Sequence, residues 1–428
     1  MKNAAAYILR FLLGNTCTPE ILSRIGYSSK ETDERYSLII RPSSFFDDGL
    51  YGTVASLPRL PLKTIDGIPF LYGEPKIEWQ GDTLILSADL VASAYFFLTG
   101  YEACIRKEAR DQYGRFPGKE SVAFRCGFLH RPIVDEYGQL LRRYLRETGI
   151  DISEPSAQIR KIYLTHDLDI PYYYRTLKGI ARGCLIDKQY GLTLRSYLNK
   201  KYDPAYTYPW IIRQNKQLIK SIGTNRCESL FFFKSTGKCQ EDKPVHNVFS
   251  KDIQHIFRLC RANHVRIGLH TSYSAGIHPE EIINEKERLK KASHTPITDN
   301  RHHFLTCREM NDLSYLVTAG ITDDFTMGYA DVAGFRLGTC RPVRWINVAN
   351  KSVYPLTLHP LTLMDRTLDS KYMNLSYEEA IHCALELIDA TERHSGDLTL
   401  LWHNTSICEP SSYQKTLYQL LLSNLKMR

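Results

Sequence analysis

The sequence Lys161-Ile-Tyr-Leu-Thr-His-Asp-Leu-Asp-Ile170 carries more information about the fold than any other part of the chain. Apolar and β-branched residues lead up to Thr165, which is typical of a buried strand. His166, Asp167 and Asp169 follow at once, and unpaired carboxylates are costly to bury. A short strand with charged groups at its carboxyl end is typical of an active site on a parallel β/α barrel. The alternative is a surface turn in which an aspartate caps a helix.

Length and composition are those of an ordinary globular protein. The 428 residues are long for one core, so two domains are expected. The hydrophobic fraction is 43% and the charged fraction 24%, both typical of folded proteins. The net charge is +8, but the basic residues are spread along the chain, and the densest run, at 288–291, lies beside glutamates on a predicted helix. We therefore predict no nucleic-acid partner.

The cysteines and the hydropathy pattern indicate a cytoplasmic protein. The 11 cysteines are scattered and never form a CxxC pair, which favours reduced thiols over a disulfide framework. No stretch reaches the roughly 18–20 uninterrupted apolar residues of a membrane span, so no integral membrane segment is predicted. The oligomeric state stays open.

Hydrophobic periodicity divides the chain into two parts. Residues 1–155 mix strand and helix patterns and are predicted to form a smaller α+β domain of unknown role, which ends in a polar linker at 151–156. Residues 156–428 alternate strand with helix, which predicts a parallel sheet in a barrel or doubly wound arrangement. The predicted strands are 36–41, 82–87, 162–164, 229–233, 265–269, 321–324, 353–358 and 398–402. The predicted helices are 89–101, 134–147, 279–291 and 375–391.

Several segments of the second part end in, or carry, side chains that can do chemistry. Because the carboxyl ends of parallel strands meet at one face of a barrel, we expect these side chains to converge. The alternative is that each one separately caps a helix or satisfies a loop. The side chains in question are Asp167, Asp169, His270, Arg301, His303 and His403.

Five motifs occur in an order that resembles the polysaccharide deacetylase family, the carbohydrate esterases with a NodB-like domain. The resemblance is greatest to a bacterial branch whose first motif is Thr-His-Asp-x-Asp. In that branch a domain of uncharacterised function commonly precedes the catalytic one, and the first 150 residues resemble that domain. The five motifs are Thr165-His-Asp-Leu-Asp169, Gly268-Leu-His-Thr-Ser272, Arg301-His-His-Phe-Leu305, Gly334-Phe-Arg-Leu-Gly-Thr-Cys340 and Leu400-Leu-Trp-His-Asn404.

The resemblance implies a distorted (β/α)7 barrel that removes acetyl groups from a sugar or polysaccharide in the synthesis of a surface glycan. It implies that Asp167 is the base, His403 the acid, and Arg301 the arginine that orients the base. Asp169 and His270 correspond to metal ligands. An amide carbonyl is a poor electrophile, so a divalent cation is needed to polarise it. Histidine and carboxylate ligands suit zinc or another first-row divalent metal.

The first motif departs from the family pattern by one residue. The usual motif places two aspartates side by side, whereas Leu168 separates Asp167 from Asp169. In extended chain, residues two apart point the same way. Asp169 is therefore still expected to reach the metal.

The second motif lacks a ligand. The family has a histidine four residues after the first, and here that position is Ser274, a poor ligand. His303 and His278 are the two candidates to replace it. We favour His303, because it shares a face with Arg301 in extended chain.

Three further residues are candidates for binding substrate. Arg336 could grip a carboxylate or phosphate, or could equally pair with an aspartate and hold its own loop. Asp324 lies in the segment that precedes it. Trp402 could stack on a sugar ring, although aromatic residues more often belong to the core.

Two other functions fit the same sequence. The serine at the ligand position is also what a degenerate barrel would carry, one that binds a glycan or a protein without turnover. A barrel that retains the metal but cleaves a different carbon–nitrogen or ester bond is the second alternative, since fold does not determine function.

Overall fold

A computed structural model describes residues 2–29, 35–408 and 412–428. The first part of the chain contains six helices and six strands within these residues. The helices are α1 (Lys2–Leu13), α2 (Pro19–Ser23), α3 (Leu90–Leu98), α4 (Tyr101–Ile105), α5 (Val122–Arg125) and α6 (Ile133–Glu147). The strands are β1 (Ile25–Tyr27), β2 (Leu38–Ile40), β3 (Lys63–Ile65), β4 (Ile68–Phe70), β5 (Gly73–Gln80) and β6 (Thr83–Ala88).

The second part alternates strand with helix. Its strands are β7 (Lys161–Asp167), β8 (Cys227–Phe233), β9 (Arg266–Thr271), β10 (Asp299–His302), β11 (Asp323–Asp324), β12 (Val343–Asn347), β13 (Ser352–Leu358), β14 (Leu363–Met364) and β15 (Asp397–Leu401). Its helices are α7 (Leu177–Leu185), α8 (Tyr190–Leu198), α9 (Tyr208–Ile222), α10 (Lys251–Ala262), α11 (Ile282–Ser293), α12 (Leu313–Thr318), α13 (Asp365–Leu368), α14 (Tyr377–Arg393), α15 (Asn404–Cys408) and α16 (Gln414–Lys426).

Two sheets contain all of these strands except β3 and β4, which form a separate antiparallel pair. The smaller has the order β1-β2-β6-β5, and only β5 runs antiparallel to its neighbour. The larger has nine strands in the order β12-β13-β11-β10-β9-β8-β7-β15-β14. All of its pairings are parallel except that of β12 with β13. Their carboxyl ends therefore lie along one edge, where an active site is expected.

The larger sheet is strongly curled. Tyr163 of β7 and His359, which directly follows β13, are five strand spacings apart in the sheet order. In a flat sheet that separation would be roughly 24 Å. Their rings lie 4.9 Å apart, so the sheet curves round on itself like half a barrel and encloses a small aromatic interior.

Strand β7 divides its side chains between the interior and the surrounding helices. Tyr163 belongs to the enclosed aromatic cluster, and Thr165 and Asp167 follow it at the two-residue spacing that keeps a strand's side chains on one face. His166 points the other way, where its Nε2 accepts a hydrogen bond of 3.0 Å from Asn215 Nδ2 of α9. The carboxyl group of Asp167 thus lies on the inner face of the curled sheet.

The structure confirms the α/β class and most of the predicted elements. All eight predicted strands are present, although only Asp323–Asp324 remains of the segment 321–324. The helix predicted at 89–101 is two helices, because Gly100 adopts a left-handed φ of 62° that ends α3. Strands β1, β3, β4, β5, β10, β12 and β14 were not predicted.

The (β/α)7 form of the barrel and the separate N-terminal domain stay predictions. Within the described ranges the pairing ends at β12 on one side and β14 on the other, so the sheet is open and carries more strands than a (β/α)7 barrel. The domain boundary at 155/156 likewise stays a prediction. Helix α1 packs against α6 and also against β13, and one buried apolar cluster runs from Ala4 to Leu425. No described helix is both long enough and apolar enough to cross a bilayer.

The curl predicts that Gly268 of β9 cannot carry a side chain. A Cβ at this position would lie 2.5 Å from the Phe232 ring and 3.2 Å from Asp299 Cβ, and overpacking of a core costs about 1–3 kcal/mol. We expect Gly268→Ala to lower the free energy of unfolding, measured by urea denaturation, by about that amount. Gly191→Ala is the control, because a Cβ there has open space. Equal unfolding midpoints for the two variants would contradict this account of the interior.

Candidate metal centre and active site

Asp169, His270 and His303 come together at the carboxyl edge of the curled sheet. Asp169 Oδ1 lies 3.1 Å from His270 Nε2 and 3.4 Å from His303 Nε2. One ligand atom from each of the three residues lies within 4.8 Å of the others. These are the three residues that the sequence predicted as metal ligands, although they come from three separate segments of the chain.

The two histidines are held with Nε2 facing the centre. His270 Nδ1 donates a hydrogen bond of 2.9 Å to the backbone carbonyl of Arg301, so Nε2 is the ring nitrogen that faces the centre. His303 Nδ1 lies 3.4 Å from Asp242 Oδ1, and burial lowers the pKa of His303 to about 4. Both rings are thereby oriented in the way that partners behind a metal ligand normally orient it.

The spacing and chemistry of this group fit a divalent cation. Ligand atoms roughly 2.0–2.2 Å from a tetrahedral ion lie about 3.3–3.6 Å from one another, close to the two separations of Asp169 Oδ1 from the imidazole nitrogens, 3.1 and 3.4 Å. One carboxylate with two imidazoles also leaves a fourth position open, as in catalytic zinc sites. Asp169, His270 and His303 could therefore hold a metal ion.

Asp167 lies beside this centre and is tied to Arg301. Arg301 Nη1 donates to Asp167 Oδ1 at 3.0 Å and to Thr165 Oγ1 at 2.8 Å. Its Nε donates to the Phe325 carbonyl at 3.0 Å. The second carboxylate oxygen of Asp167 lies 3.6 Å from His270 Nε2. One oxygen of Asp167 is thus held by the guanidinium, and the other faces the candidate metal centre.

His403 lies on the other side of Asp169 and is held by Asp365. The backbone N–H and the ring Nδ1 of His403 each lie 2.8 Å from a different oxygen of Asp365. Burial alone would lower the pKa of His403, but the charge and hydrogen bond of Asp365, together with Asp169 and Asp167, raise it to about 9. The ring is therefore protonated at neutral pH, and Nε2 lies 3.6 Å from Asp169 Oδ2. Asp365 was not among the predicted site residues.

A single cavity joins these groups. Its volume is about 330 Å³, and it opens between the candidate metal centre and a rim that includes Arg366 and Lys371. Part of its wall is apolar and belongs to a small buried cluster of Leu305, Ala330, Leu361, Met364 and Leu401. The residues of interest that line the cavity are Asp167, Asp169, His270, His303 and His403. Arg301 lies behind Asp167 and is fully buried.

Trp402 does not line this cavity. Its side chain is fully buried, its indole N–H donates to the Gln414 carbonyl at 3.1 Å, and its ring packs 5.3 Å from that of Tyr418. The prediction that it stacks on a sugar is therefore wrong. It lies next in sequence to His403, but it faces the helices on the outside of the sheet.

Arg336 and Asp324, predicted to bind substrate, are buried and lie outside the cavity lining. Arg336 Nη1 donates to the Gly328 carbonyl at 3.0 Å, so it holds its loop through a backbone oxygen rather than an aspartate. Asp324 is fully buried and accepts hydrogen bonds from Asn300 Nδ2 at 2.8 Å and Thr326 Oγ1 at 2.7 Å. Both residues support the chain beneath the site.

Neither Ser274 nor His278 belongs to the candidate metal centre. Ser274 Oγ accepts a hydrogen bond of 3.1 Å from the Lys238 backbone N–H, and its own N–H donates to Asp242 Oδ2 at 3.1 Å. The His278 side chain is 61% exposed and lies beside Glu280. The serine thus helps to hold the carboxylate that orients His303.

The first part of the chain reaches the rim of the cavity. His303 begins a turn in which Phe304 and Leu305 both have left-handed φ values, 59° and 57°, which are strained for residues with side chains. Arg115 Nη1 donates to the Phe304 carbonyl at 2.8 Å, and the Tyr113 ring packs 4.8 Å from the Phe304 ring. These two contacts brace the turn that carries His303.

Comparisons with known proteins found one family match and similar solved structures. Residues 6–149 match a protein family described as "Family of unknown function (DUF7033)". No curated protein matches the chain significantly. A crystal structure from Mycobacterium smegmatis described as that of a "putative polysaccharide deacetylase" is 13% identical, with a TM-score of 0.40, over 64% of this chain and 86% of that chain. At this distance the likeness carries no chemistry to this chain, so the side chains themselves must be interpreted.

The ligand assignment predicts different effects of two histidine substitutions. We expect His303→Ala to lower affinity for Zn²⁺ or Co²⁺ by at least about 100-fold, because one of three protein ligands is lost. His278→Ala should leave affinity unchanged, because that side chain is exposed and lies apart. Competition with a chromophoric chelator measures both. The assignment is wrong if the two variants bind the metal equally well.

Asp242 is predicted to matter for the metal without touching it. Asp242→Asn weakens the partner that fixes the His303 ring, and loss of such a partner typically costs about 10–100-fold in metal affinity. The same chelator competition measures the loss. Glu241→Gln is the matched control, because this neighbouring carboxylate is not among the partners of His303. If Asp242→Asn binds metal as tightly as the control, the proposed orientation of His303 is incorrect.

Proposed function

We propose that this protein is a metal-dependent deacetylase that hydrolyses an acetyl amide or ester on a sugar or polysaccharide. The observation that carries the proposal is one cavity of about 330 Å³ in which the possible metal ligands are flanked by two different proton carriers. Asp167 and Arg301 form one pair, and His403 and Asp365 form the other. Hydrolysis of an unactivated acyl group needs a base and an acid placed in this way.

Asp169, His270 and His303 would hold the metal. A divalent cation bound there would polarise the acyl carbonyl and favour ionisation of water. Asp167 faces the same space with its Oδ2, while its Oδ1 accepts a hydrogen bond of 3.0 Å from Arg301 Nη1. Asp167 is therefore suited to accept the proton of the attacking water.

His403 is suited to the opposite task. Asp365 accepts its Nδ1–H, so the proton on Nε2 is the one available to the cavity. A pKa of about 9 keeps this proton in place at neutral pH. His403 would donate it to the nitrogen or oxygen that leaves the acetyl group, since an amine leaves only when protonated.

The wall of the cavity suits a small acyl group. Leu305, Ala330, Met364 and Leu401 are apolar residues that line it beside the candidate metal centre. They would accept the acetyl methyl group, whereas a charged acyl chain would be desolvated there without a partner. The polar rim would accept the sugar, whose hydroxyl groups need hydrogen-bond partners.

The finer parts of the proposal rest on the resemblance of the five motifs. They are the choice of zinc, a role in surface-glycan synthesis, a cytoplasmic location, and a separate N-terminal domain that ends near residue 155. The alternative of a barrel that binds a glycan or a protein without turnover is retained because Ser274, at a ligand position of the family, is a poor ligand. However, His303 occupies a position from which it could serve as the third ligand, which favours catalysis.

Acetate release tests the proposal. Purified protein loaded with Zn²⁺ or Co²⁺ should release acetate from at least one member of a panel of N-acetylated and O-acetylated oligosaccharides. Asp167→Asn should slow that release by about 10²–10⁴-fold, the usual contribution of a general base, and a chelator should abolish it. Asp389→Asn serves as the control, because this carboxylate pairs with Arg428 on the surface.

The two alternatives give different results in the same assay. Oligosaccharide binding that is unaffected by Asp167→Asn or by a chelator, with no acetate released, would support a binding protein. Hydrolysis of other amides or esters, without deacetylation of any sugar, would support the barrel that cleaves a different bond.

A further inference from the structure

Helices α7 and α8 form a hairpin in which small residues are buried and large apolar residues are exposed, the reverse of an ordinary helix pair. Within this hairpin the buried helical residues are small or polar, namely Gly179, Gly183, Thr193 and Ser196. A Cβ at Gly183 would collide with Thr193 Oγ1, so the helices approach closely through these small residues. In a soluble helix the large apolar side chains normally face the core.

The large apolar side chains of the hairpin point to solvent instead. The most exposed are Leu177 at 84%, Leu185 at 77%, Ile186 at 72% and Leu198 at 73%. Tyr190, Leu194 and Tyr197 are also exposed. These three residues of α8 recur at helical spacing and therefore share one outward face. A patch of this kind on a soluble protein marks a surface that binds something apolar.

Basic residues surround this apolar face. From Arg175 to Tyr202 the chain carries seven Lys and Arg residues but one acidic residue, Asp187, so much of the net charge of +8 lies here. Arg175 is neutralised by Asp252 at 2.9 Å, and Asp187 lies 3.4 Å from Arg182. Exposed cations remain at Lys178, Lys188, Arg195 and Lys201.

We propose that the α7–α8 hairpin docks this protein onto the surface of an anionic lipid bilayer. Leucine, isoleucine and tyrosine side chains would enter the boundary between headgroups and acyl chains, and the flanking lysines and arginines would contact anionic headgroups. Apolar insertion combined with basic residues is how interfacial helices bind membranes. The protein would then be peripheral, with the hairpin as its point of attachment.

Charge complementarity favours a bilayer over a second copy of this chain. A symmetric dimer would bring the same patch of both copies face to face. The lysines and arginines of one hairpin would then oppose those of the other, which is unfavourable. An anionic bilayer offers the opposite charge and an apolar layer in the same surface.

The hairpin lies on the same edge of the sheet as the candidate metal centre. Asp169 of that centre and the hairpin both belong to the connection that leaves the carboxyl end of β7. Ile170, at the start of that connection, lines the cavity, and the hairpin begins shortly afterwards at Leu177. Docking through the hairpin would therefore bring the cavity edge of the molecule towards the bilayer.

Flotation with lipid vesicles tests the proposal. The full chain should float with phosphatidylcholine vesicles that contain phosphatidylglycerol, float much less with phosphatidylcholine alone, and lose binding as salt is added. The triple variant Leu185→Gln, Leu194→Gln, Leu198→Gln should bind at least about tenfold more weakly, because the inserted apolar area is removed. Val54→Gln is the matched control, since this apolar side chain is also 68% exposed but lies outside the hairpin.

The other outcomes overturn the proposal. No flotation of the wild type, or equal flotation of the triple variant and the control, would show that the hairpin does not bind bilayers. A dimer in solution that the triple variant dissociates, without vesicle binding, would show that the occupant is a second copy. Circular dichroism verifies that the variants are folded. Because the assay needs neither metal nor Asp167, its failure is distinguishable from failure of the deacetylase proposal.

Discussion

The buried ion pair between Arg301 and Asp167 is the constraint on which the rest of the site depends. Arg301 is completely buried, and removing a charge from water costs on the order of several kcal/mol unless partners replace the water. Its partners come from β7 and from the residue after β11, and its guanidinium lies 4.7 Å from the Phe232 ring of β8. These partners can meet only if the sheet is curled. The curl in turn brings the carboxyl ends of β7, β9, β10 and β15 to one cavity.

Much of this arrangement could be predicted from local sequence, because it follows from strand periodicity. The alternation along β7 separates Asp167 from His166, and the apolar runs before His270 and His403 identify strands that end at the same edge. His303 was predicted as a ligand because it would share a face with Arg301 in extended chain, but the chain is not extended there. Strand β10 ends at His302, and the strained turn that follows, rather than extended chain, brings His303 to Asp169.

The residues that prediction missed have long-range partners. Asp242 lies in a loop without a periodic pattern, and its link to His303 spans 61 residues of sequence. Asp365 follows a strand of only two residues, so its link to His403 had no local signal. Trp402 failed for the opposite reason. Side chains of neighbouring residues in a strand point to opposite faces of the sheet. Trp402 directly precedes His403, so the two-residue period predicts that its ring lies on the opposite face, in the core.

The contacts of Tyr113 and Arg115 with the His303 turn bear on how the two parts of the chain cooperate. A strained turn persists only where its surroundings over-determine it, and here part of those surroundings comes from the first 155 residues. The α7–α8 hairpin occupies the same carboxyl edge from within the second part. The cavity therefore lies among a turn braced by the first part, the ends of the parallel strands, and an apolar, basic surface suited to lipid. A substrate held at a membrane would meet all three at once, whereas a freely diffusing sugar would gain nothing from the hairpin. Taken together, the two proposals would place a glycan attached to a membrane within reach of the cavity.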